Sequence, residues 1–513
     1  MVGHPVILNN EISAILQEVV MNPGRCPLHC DACHKLNRRD FLRGSTILLA
    51  GSSLLGGCAS LSHRKIATGP IRPCGPASKY VPTVKAAFVR RKGEYGMLWP
   101  GAVYDGKAAR LKYTAKLKET AKALNVKLEL RPEPIYSPAE ADAWCAEAKA
   151  AQPDGLVVMI HDRQQHAWPT ASKAVETGIP TVIFSPLGTS FTTNTVNLAD
   201  KPGCVIYSTD DFSQAAYGMK MLHAGAKLRK TRCVVLRGSK RFDTEMADLG
   251  IALRYVPAKD FLDEYRRTPD TDEILAMADE YMRLARRRRY ATRQDVINGI
   301  KSYVVASKIL KREECDAITM DCLGALGRTK VSLPCIAWSR MNDDGIPAAC
   351  EADLGAVAAH TIVQYLFDRP GFQQDPVADT LHDAVIGAHC SCPTRLNGFD
   401  KPPEPFDIVH HHGNRDAVPR ALWRKGQRVT SLDVFGGDAK QQRKTKLLFS
   451  VGTVLDNLDV PPSGGCVVSV RIKFDGGYPV LSFPGFHQIF FYGDYKRHLV
   501  EFCHLFDLEA EVA

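Results

Sequence analysis

Glu351, in Ala-Cys-Glu-Ala-Asp, and Asp375, in Gly-Phe-Gln-Gln-Asp, are two carboxylates separated by one stretch of helical character. The chain then runs on to Ile-Gly-Ala-His389-Cys. Paired acids with a histidine downstream are what a divalent-metal site for moving protons on a sugar needs. Carboxylate oxygens hold a hard or borderline cation, and one acid can also take up or return a proton. Asp353 is the alternative to Glu351, able to replace or assist it.

These residues need a scaffold, and 513 residues exceed what one hydrophobic core usually supports, so two or three domains are expected. From Thr83 onward, short apolar runs alternate with helical stretches. Strands are predicted at 84–89, 126–131, 156–160 and 181–184, with helices at 107–124 and 139–151. Continuous apolar runs separated by helices indicate a parallel sheet covered on both faces. No Gly-x-Gly-x-x-Gly follows the first strand, so a dinucleotide is not indicated. A second unit repeats the pattern, with strands at 233–236 and 317–320 and helices at 270–289, 293–310 and 352–367. The last of these begins at about Glu351, whose charge would favour a helix N-terminus. His360 belongs to its packing face.

Beyond Cys392 the pattern changes to alternating strands at 406–411, 446–451, 466–472 and 478–483, with a terminal amphipathic helix at 495–508. The expected fold is α/β: two Rossmann-like parallel-sheet domains followed by a β-rich, barrel-like C-terminal domain. The boundaries are 83–215, 216–380 and 381–513. His410, His411 and His412 follow a strand, where they form either a solvent-facing turn or one further contact to substrate or metal.

The first 82 residues carry an address. Asn37-Arg38-Arg39-Asp40-Phe41-Leu42-Arg43 resembles the twin-arginine export motif, and an apolar run over 46–57 leads to Leu55-Gly56-Gly57-Cys58. That tetrapeptide resembles a lipobox, with Cys58 as the lipidation site. The run is too short for a membrane span, which takes about 20 residues. Residues 1–58 therefore read as a twin-arginine lipoprotein signal and 59–82 as a linker, with Met1 or Met21 as the start. The chain is expected to be exported, lipid-anchored and on the periplasmic side. If that reading is wrong, it is cytoplasmic. Cys26, Cys30 and Cys33 have iron–sulfur spacing but precede the signal. Cys390 and Cys392 are too close for an easy mutual bridge and read as free thiols.

The net charge of +10 is modest for this length. Its densest run, Arg286–Arg289, is expected to wrap a helix end and form no single stripe, so nucleic acid is not an expected partner.

Pro334-Cys-Ile-Ala-Trp-Ser-Arg-Met-Asn-Asp-Asp-Gly-Ile-Pro-Ala-Ala-Cys-Glu351-Ala-Asp, with the helix after it, Phe-x-x-Asp375 and Ile-Gly-Ala-His389-Cys-Ser-Cys-Pro, resembles the L-fucose/L-arabinose isomerase superfamily. The resemblance is specific over 315–395. It implies Mn2+, or another divalent cation, held by Glu351, Asp375 and His487 of Gly-Phe-His. Glu351 and Asp375 are then also the catalytic pair, and His389 the substrate-binding residue. The implied reaction is aldose–ketose isomerisation of a free sugar through a cis-enediol, in a homo-oligomer, trimeric or hexameric. The alternative is an exported sugar-binding lipoprotein that kept the metal pocket without turnover. A metal-dependent hydrolase or epimerase on the same scaffold is a third reading.

Overall fold

A computed structural model describes residues 71–93, 105–163, 166–411, 414–437, 443–459 and 466–513. The export motif, Cys58, the triplet of Cys26, Cys30 and Cys33, and His412 lie outside the described residues.

The first sheet comprises β1 (Thr83–Val89), β2 (Lys127–Leu130), β3 (Gly155–Ile160), β4 (Thr181–Ser185) and β5 (Cys204–Ser208). All pair in parallel in the order β2-β1-β3-β4-β5. Every residue of β3 is buried, which explains its unbroken apolar run: helices cover both faces of the sheet. The helices Gly106–Ala123 and Pro138–Ala151 start on Asp105 and Ser137, whose side chains accept first-turn amides.

The second unit contains β6 (Arg232–Leu236), β7 (Phe242–Met246), β8 (Ile251–Val256), β9 (Arg287–Arg288), β10 (Ala317–Met320) and β11 (Ala348–Cys350). Its sheet runs β11-β10-β6-β8-β7, parallel except for β7. β9 leaves this sheet to pair elsewhere.

The remaining strands are β12 (Phe372–Gln373), β13 (Asp375–Asp379), β14 (Ala384–His389), β15 (Phe406–His411), β16 (Arg415–Ala421), β17 (Arg428–Phe435), β18 (Lys446–Asn457), β19 (Val468–Phe474), β20 (Ile489–Tyr492) and β21 (Glu509–Val512). The large sheet runs β12-β20-β17-β18-β19-β14-β13, with β21 added alongside β18. Its two ends, β12 and β13, are consecutive in sequence with Gln374 alone between them. The sheet must therefore curl until its ends approach each other. A shared core ties the parts together, since one buried cluster includes Val84, Val235, Ile362, Phe449 and Phe502. Fully burying side chains of this size is worth about 1.5–3 kcal/mol each.

Five local expectations are corrected. The helix before the arginine run ends at Leu284, and Arg287–Arg288 form β9, parallel to β15. Arg286 and Arg287 donate to the fully buried Asp407, so a long-range ion pair overrides helix extension there. Glu351 does not begin a helix; the helix Leu354–Phe367 starts after Asp353, whose side chain accepts the Ala356 amide at 2.7 Å. Residues 478–483 form no strand: between Pro479 and Pro484 the chain makes a short 3-10 turn, Val480–Ser482. β12 and β13 already belong to the curled sheet, so the second unit ends before 372 and not at 380. Residues 71–82 are not a free tether. Asp316 accepts the amides of Ala77 and Ser78 at 3.1 and 3.0 Å and pins the short helix Pro76–Lys79.

Candidate metal centre

Three joints of the chain converge. The first is the end of β11, where the backbone turns left-handed at Glu351 (φ 64°) and Ala352 (φ 55°). Non-glycine residues pay about 1–2 kcal/mol for this conformation. The turn is held by the Ala352 amide on the Met320 carbonyl at 2.9 Å and by the Asp353 amide on the Cys350 carbonyl at 3.2 Å. The second joint is β12–β13. Gln373 accepts the Cys350 amide at 2.8 Å, and the β13–β14 register sets Asp375 opposite Ala388, one step from His389. The third is the segment before β20, where the Gln374 amide donates to the Gln488 carbonyl at 3.1 Å. It delivers His487, also left-handed (φ 57°).

Gly485 makes the last joint possible. It has φ 91°, and a Cβ there would lie 2.5 Å from the Gln488 side-chain nitrogen and 2.9 Å from an Asp433 carboxylate oxygen.

The residues singled out in the sequence meet here. His487 Nε2 lies 3.1 Å from Asp375 Oδ1 and 3.6 Å from Glu351 Oε2, and His389 Nε2 lies 3.8 Å from Glu351 Oε1. One donor atom each from Glu351, His389 and His487 falls within 4.8 Å of the others. The histidines are buried, whereas the side chains of Glu351 and Asp375 remain 36% and 32% exposed. The cluster thus has a dry nitrogen side and an open oxygen side.

Asp353, the alternative to Glu351 in the sequence, has a different task by its geometry. Its Oδ2 lies 2.9 Å from His487 Nδ1 while its Oδ1 caps the following helix. This fixes the ring and leaves Nε2 facing the other carboxylates. A carboxylate behind a histidine in this way is the usual outer support of a metal ligand. The sequence signal was available: Asp353 stands three residues before Ala356 at the head of an apolar helix.

The electrostatics follow from this packing. Burial disfavours a charged His487, but Asp353 and Asp375 more than offset it and push its pKa up to about 10. His389 lowers the Glu351 carboxyl against the opposing effect of burial. Burial raises Asp353, and the His487 ring with the Ala356 amide outweighs it, so the net direction is down.

The donor set suits a divalent cation. His389 Nδ1 is a buried polar atom without a hydrogen-bond partner, and the buried Asp375 Oδ1 and His487 Nε2 meet each other only as an ion-pair contact, at 3.1 Å. The carboxylates of Glu351, Asp353 and Asp375 bring three negative charges. A proton on His487 leaves two of them uncompensated, and a divalent cation in its place leaves one. Mixed imidazole and carboxylate donors fit borderline ions, Mn2+ among them.

Other candidates lie outside this cluster. His360 is buried in the helix Leu354–Phe367, and burial lowers its pKa to about 3. His410 faces Asp295 at 3.7 Å, and both it and His411 belong to β15 in the separate three-stranded sheet. Cys390 and Cys392 are unbridged thiols. Among the described residues no helix is long and apolar enough to cross a membrane.

No protein-family model matches the chain, and no curated protein does. Solved structures similar to parts of it include a periplasmic sugar-binding protein of an ABC sugar transporter from Legionella pneumophila. It shows 15% identity over 48% of this chain and 72% of that one, with a TM-score of 0.17. Another is an ABC transporter periplasmic solute-binding protein from Actinobacillus succinogenes 130z with bound D-allose, at 13% identity, 52% and 76% coverage and a TM-score of 0.18. A third, from Burkholderia multivorans, is an ABC transporter solute-binding protein at 13% identity, 57% and 95% coverage and a TM-score of 0.19.

Proposed function

We propose that this chain is a divalent-metal enzyme of the aldose–ketose isomerase type, acting on a free sugar. The observation that carries the proposal is the convergence of Glu351, Asp375 and His487, with His389 alongside, on one partly open cluster. In this reading Glu351, Asp375 and His487 hold Mn2+ or a similar ion. When bound, such an ion supplies Lewis-acid stabilisation of negative charge developing on sugar oxygens. Isomerisation needs a weakly acidic proton removed from C2 and one returned to C1. The partly exposed carboxylates of Glu351 and Asp375 are the groups placed to carry it, each able to act as base and then as acid. His389 directs Nε2 toward Glu351 and offers a hydrogen bond to a sugar hydroxyl. Asp353 positions His487.

A second reading keeps the pocket and drops the reaction: a sugar-binding protein without turnover. The His487 pairs with Asp353 at 2.9 Å and with Asp375 at 3.1 Å favour it, because they already neutralise part of the cluster internally. The test is purified protein with Mn2+ and a panel of aldoses. Ketose formation that disappears in Asp375→Asn supports the enzyme, whereas sugar binding without conversion in calorimetry supports the binder. Export through the twin-arginine route, a lipid anchor at Cys58 and a homo-oligomer complete the proposal and rest on the sequence alone.

A further inference from the structure

The helix between β1 and β2, Gly106–Ala123, carries six cations and a single acid, Glu119. Its buried positions, Gly106, Ala109, Tyr113, Leu117 and Ala121, recur at helical spacing and seat it on the first sheet. The opposite side is open. Lys107, Leu111, Ala115, Lys118 and Lys122 are all exposed, and steps of three or four residues set them on one narrow stripe about 22 Å long.

The other three cations are occupied locally. Arg110 pairs with Glu133 at 3.3 Å, and Lys112 and Lys116 lie over the rings of Tyr113 and Phe212 at 5.0 and 5.9 Å. On the stripe, Lys118 and Lys122 have no acidic partner within ion-pair distance among the described residues. Leu111 stands between the lysines and is 74% exposed. A single exposed leucine is ordinary, but one set inside a row of lysines is what a helix lying at a membrane surface presents.

Charge narrows what can cover this face. A second copy of the chain would set lysine against lysine. Nucleic acid offers phosphates but no apolar layer for Leu111. A bilayer with anionic headgroups suits both parts: the ammonium groups meet the headgroups, and Leu111 enters the boundary of the acyl region. The place in the fold agrees. The helix ends beside the start of β1, because the Lys127 amide just after it donates to the Pro82 carbonyl at 2.8 Å. Lys230, 5.1 Å from the Tyr80 ring, adds a cation at this edge. It is the edge where the chain arrives from the direction of Cys58.

We propose that the outer face of this helix is a docking surface for an anionic lipid bilayer, with the helix lying flat on it and Leu111 inserted. The inference needs neither the metal centre nor a lipid on Cys58, so its failure leaves both of those readings standing.

The experiment is sedimentation of the unlipidated full chain with vesicles of phosphatidylcholine alone, or with about one-third phosphatidylglycerol, at about 0.1 M salt. The wild type is expected to bind the anionic vesicles at least about fiftyfold tighter. A lysine near such a surface contributes about fivefold, so Lys118→Gln with Lys122→Gln lowers this affinity about twentyfold. Leu111→Gln lowers it as well. Lys240→Gln with Lys330→Gln removes two exposed lysines elsewhere and keeps the wild-type affinity. The basic export motif is common to all these proteins and cancels in the comparison, and an unchanged thermal transition shows that each variant is folded. Equal binding to both vesicles, wild-type affinity in the stripe pair or in Leu111→Gln, or an equal loss in the control pair overturns the proposal. So does a duplex DNA fragment that binds tighter than the vesicles and is lost in the stripe pair, which assigns the face to nucleic acid.

Discussion

β3 and β11, one from each of the first two sheets, run into an acid at their carboxyl ends, and the molecule uses these two acids in opposite ways. β3 leads to Asp162, whose side chain is 1% exposed and lies 2.9 Å from Arg91 Nε. β11 leads to Glu351, which is 36% exposed and faces two histidines on a left-handed backbone. The first acid is satisfied by its own scaffold. The second is held in an expensive conformation with its oxygens partly open, the condition in which a carboxylate can still bind an ion or carry a proton. Exposure and pairing, more than residue type, separate a structural acid from a chemical one.

The comparison breaks most sharply at Asp375. Asp375→Asn is expected to abolish turnover and to weaken Mn2+ binding while the thermal transition stays near that of the wild type, read by a ketose assay beside differential scanning calorimetry. If turnover survives, Asp375 is no more chemical than Asp162. The converse variant, Asp162→Asn, removes the charge of the buried member of a pair whose Arg91 side chain is 30% exposed, and is expected to cost about 1–3 kcal/mol in denaturant unfolding, with Mn2+ affinity unchanged.

A pH test concerns a third kind of acid. Burial pushes the Asp343 carboxyl up to about 6, against the lowering effect of the Thr394 hydroxyl and the Arg395 and Thr394 amides. Its folded pKa therefore lies above the unfolded value of 3.8. The stability it contributes is fully present below the unfolded pKa and is lost as pH rises through about 6. Wild type should thus lose about 2 kcal/mol relative to Asp343→Asn between pH 4 and pH 7. Equal pH profiles for the two proteins would remove this account.

Asp353→Asn tests the support behind His487. Mn2+ affinity is expected to fall about 10- to 100-fold, measured by calorimetry. Helix content should change little, because an asparagine still caps the helix at that position.

How much of this was legible before the coordinates depends on range. The alternating apolar runs give β1, β3, β4, β6 and β10 almost at their observed bounds, because continuous burial on two faces leaves a local trace. Glu351, Asp375 and His389 stand out in the sequence by type and order, His487 only through the resemblance, and the four side chains lie together. What escaped depends on distant partners. β9 exists because β15 and Asp407 await it, and nothing in four arginines announces that. β21 forms only by adding to β18. The Glu351 turn read as a helix start because an acid before an apolar helix is ambiguous between cap and first turn, and Asp353, two residues on, took the cap.

The left-handed backbone at Glu351 has a consequence for how the chain would drift. Glu351→Gly relaxes the bend and is expected to raise stability by a few tenths to about 1 kcal/mol, while removing a proposed metal ligand. A laboratory lineage selected for heat resistance alone would find that exchange attractive, and one also required to feed on the product would reject it.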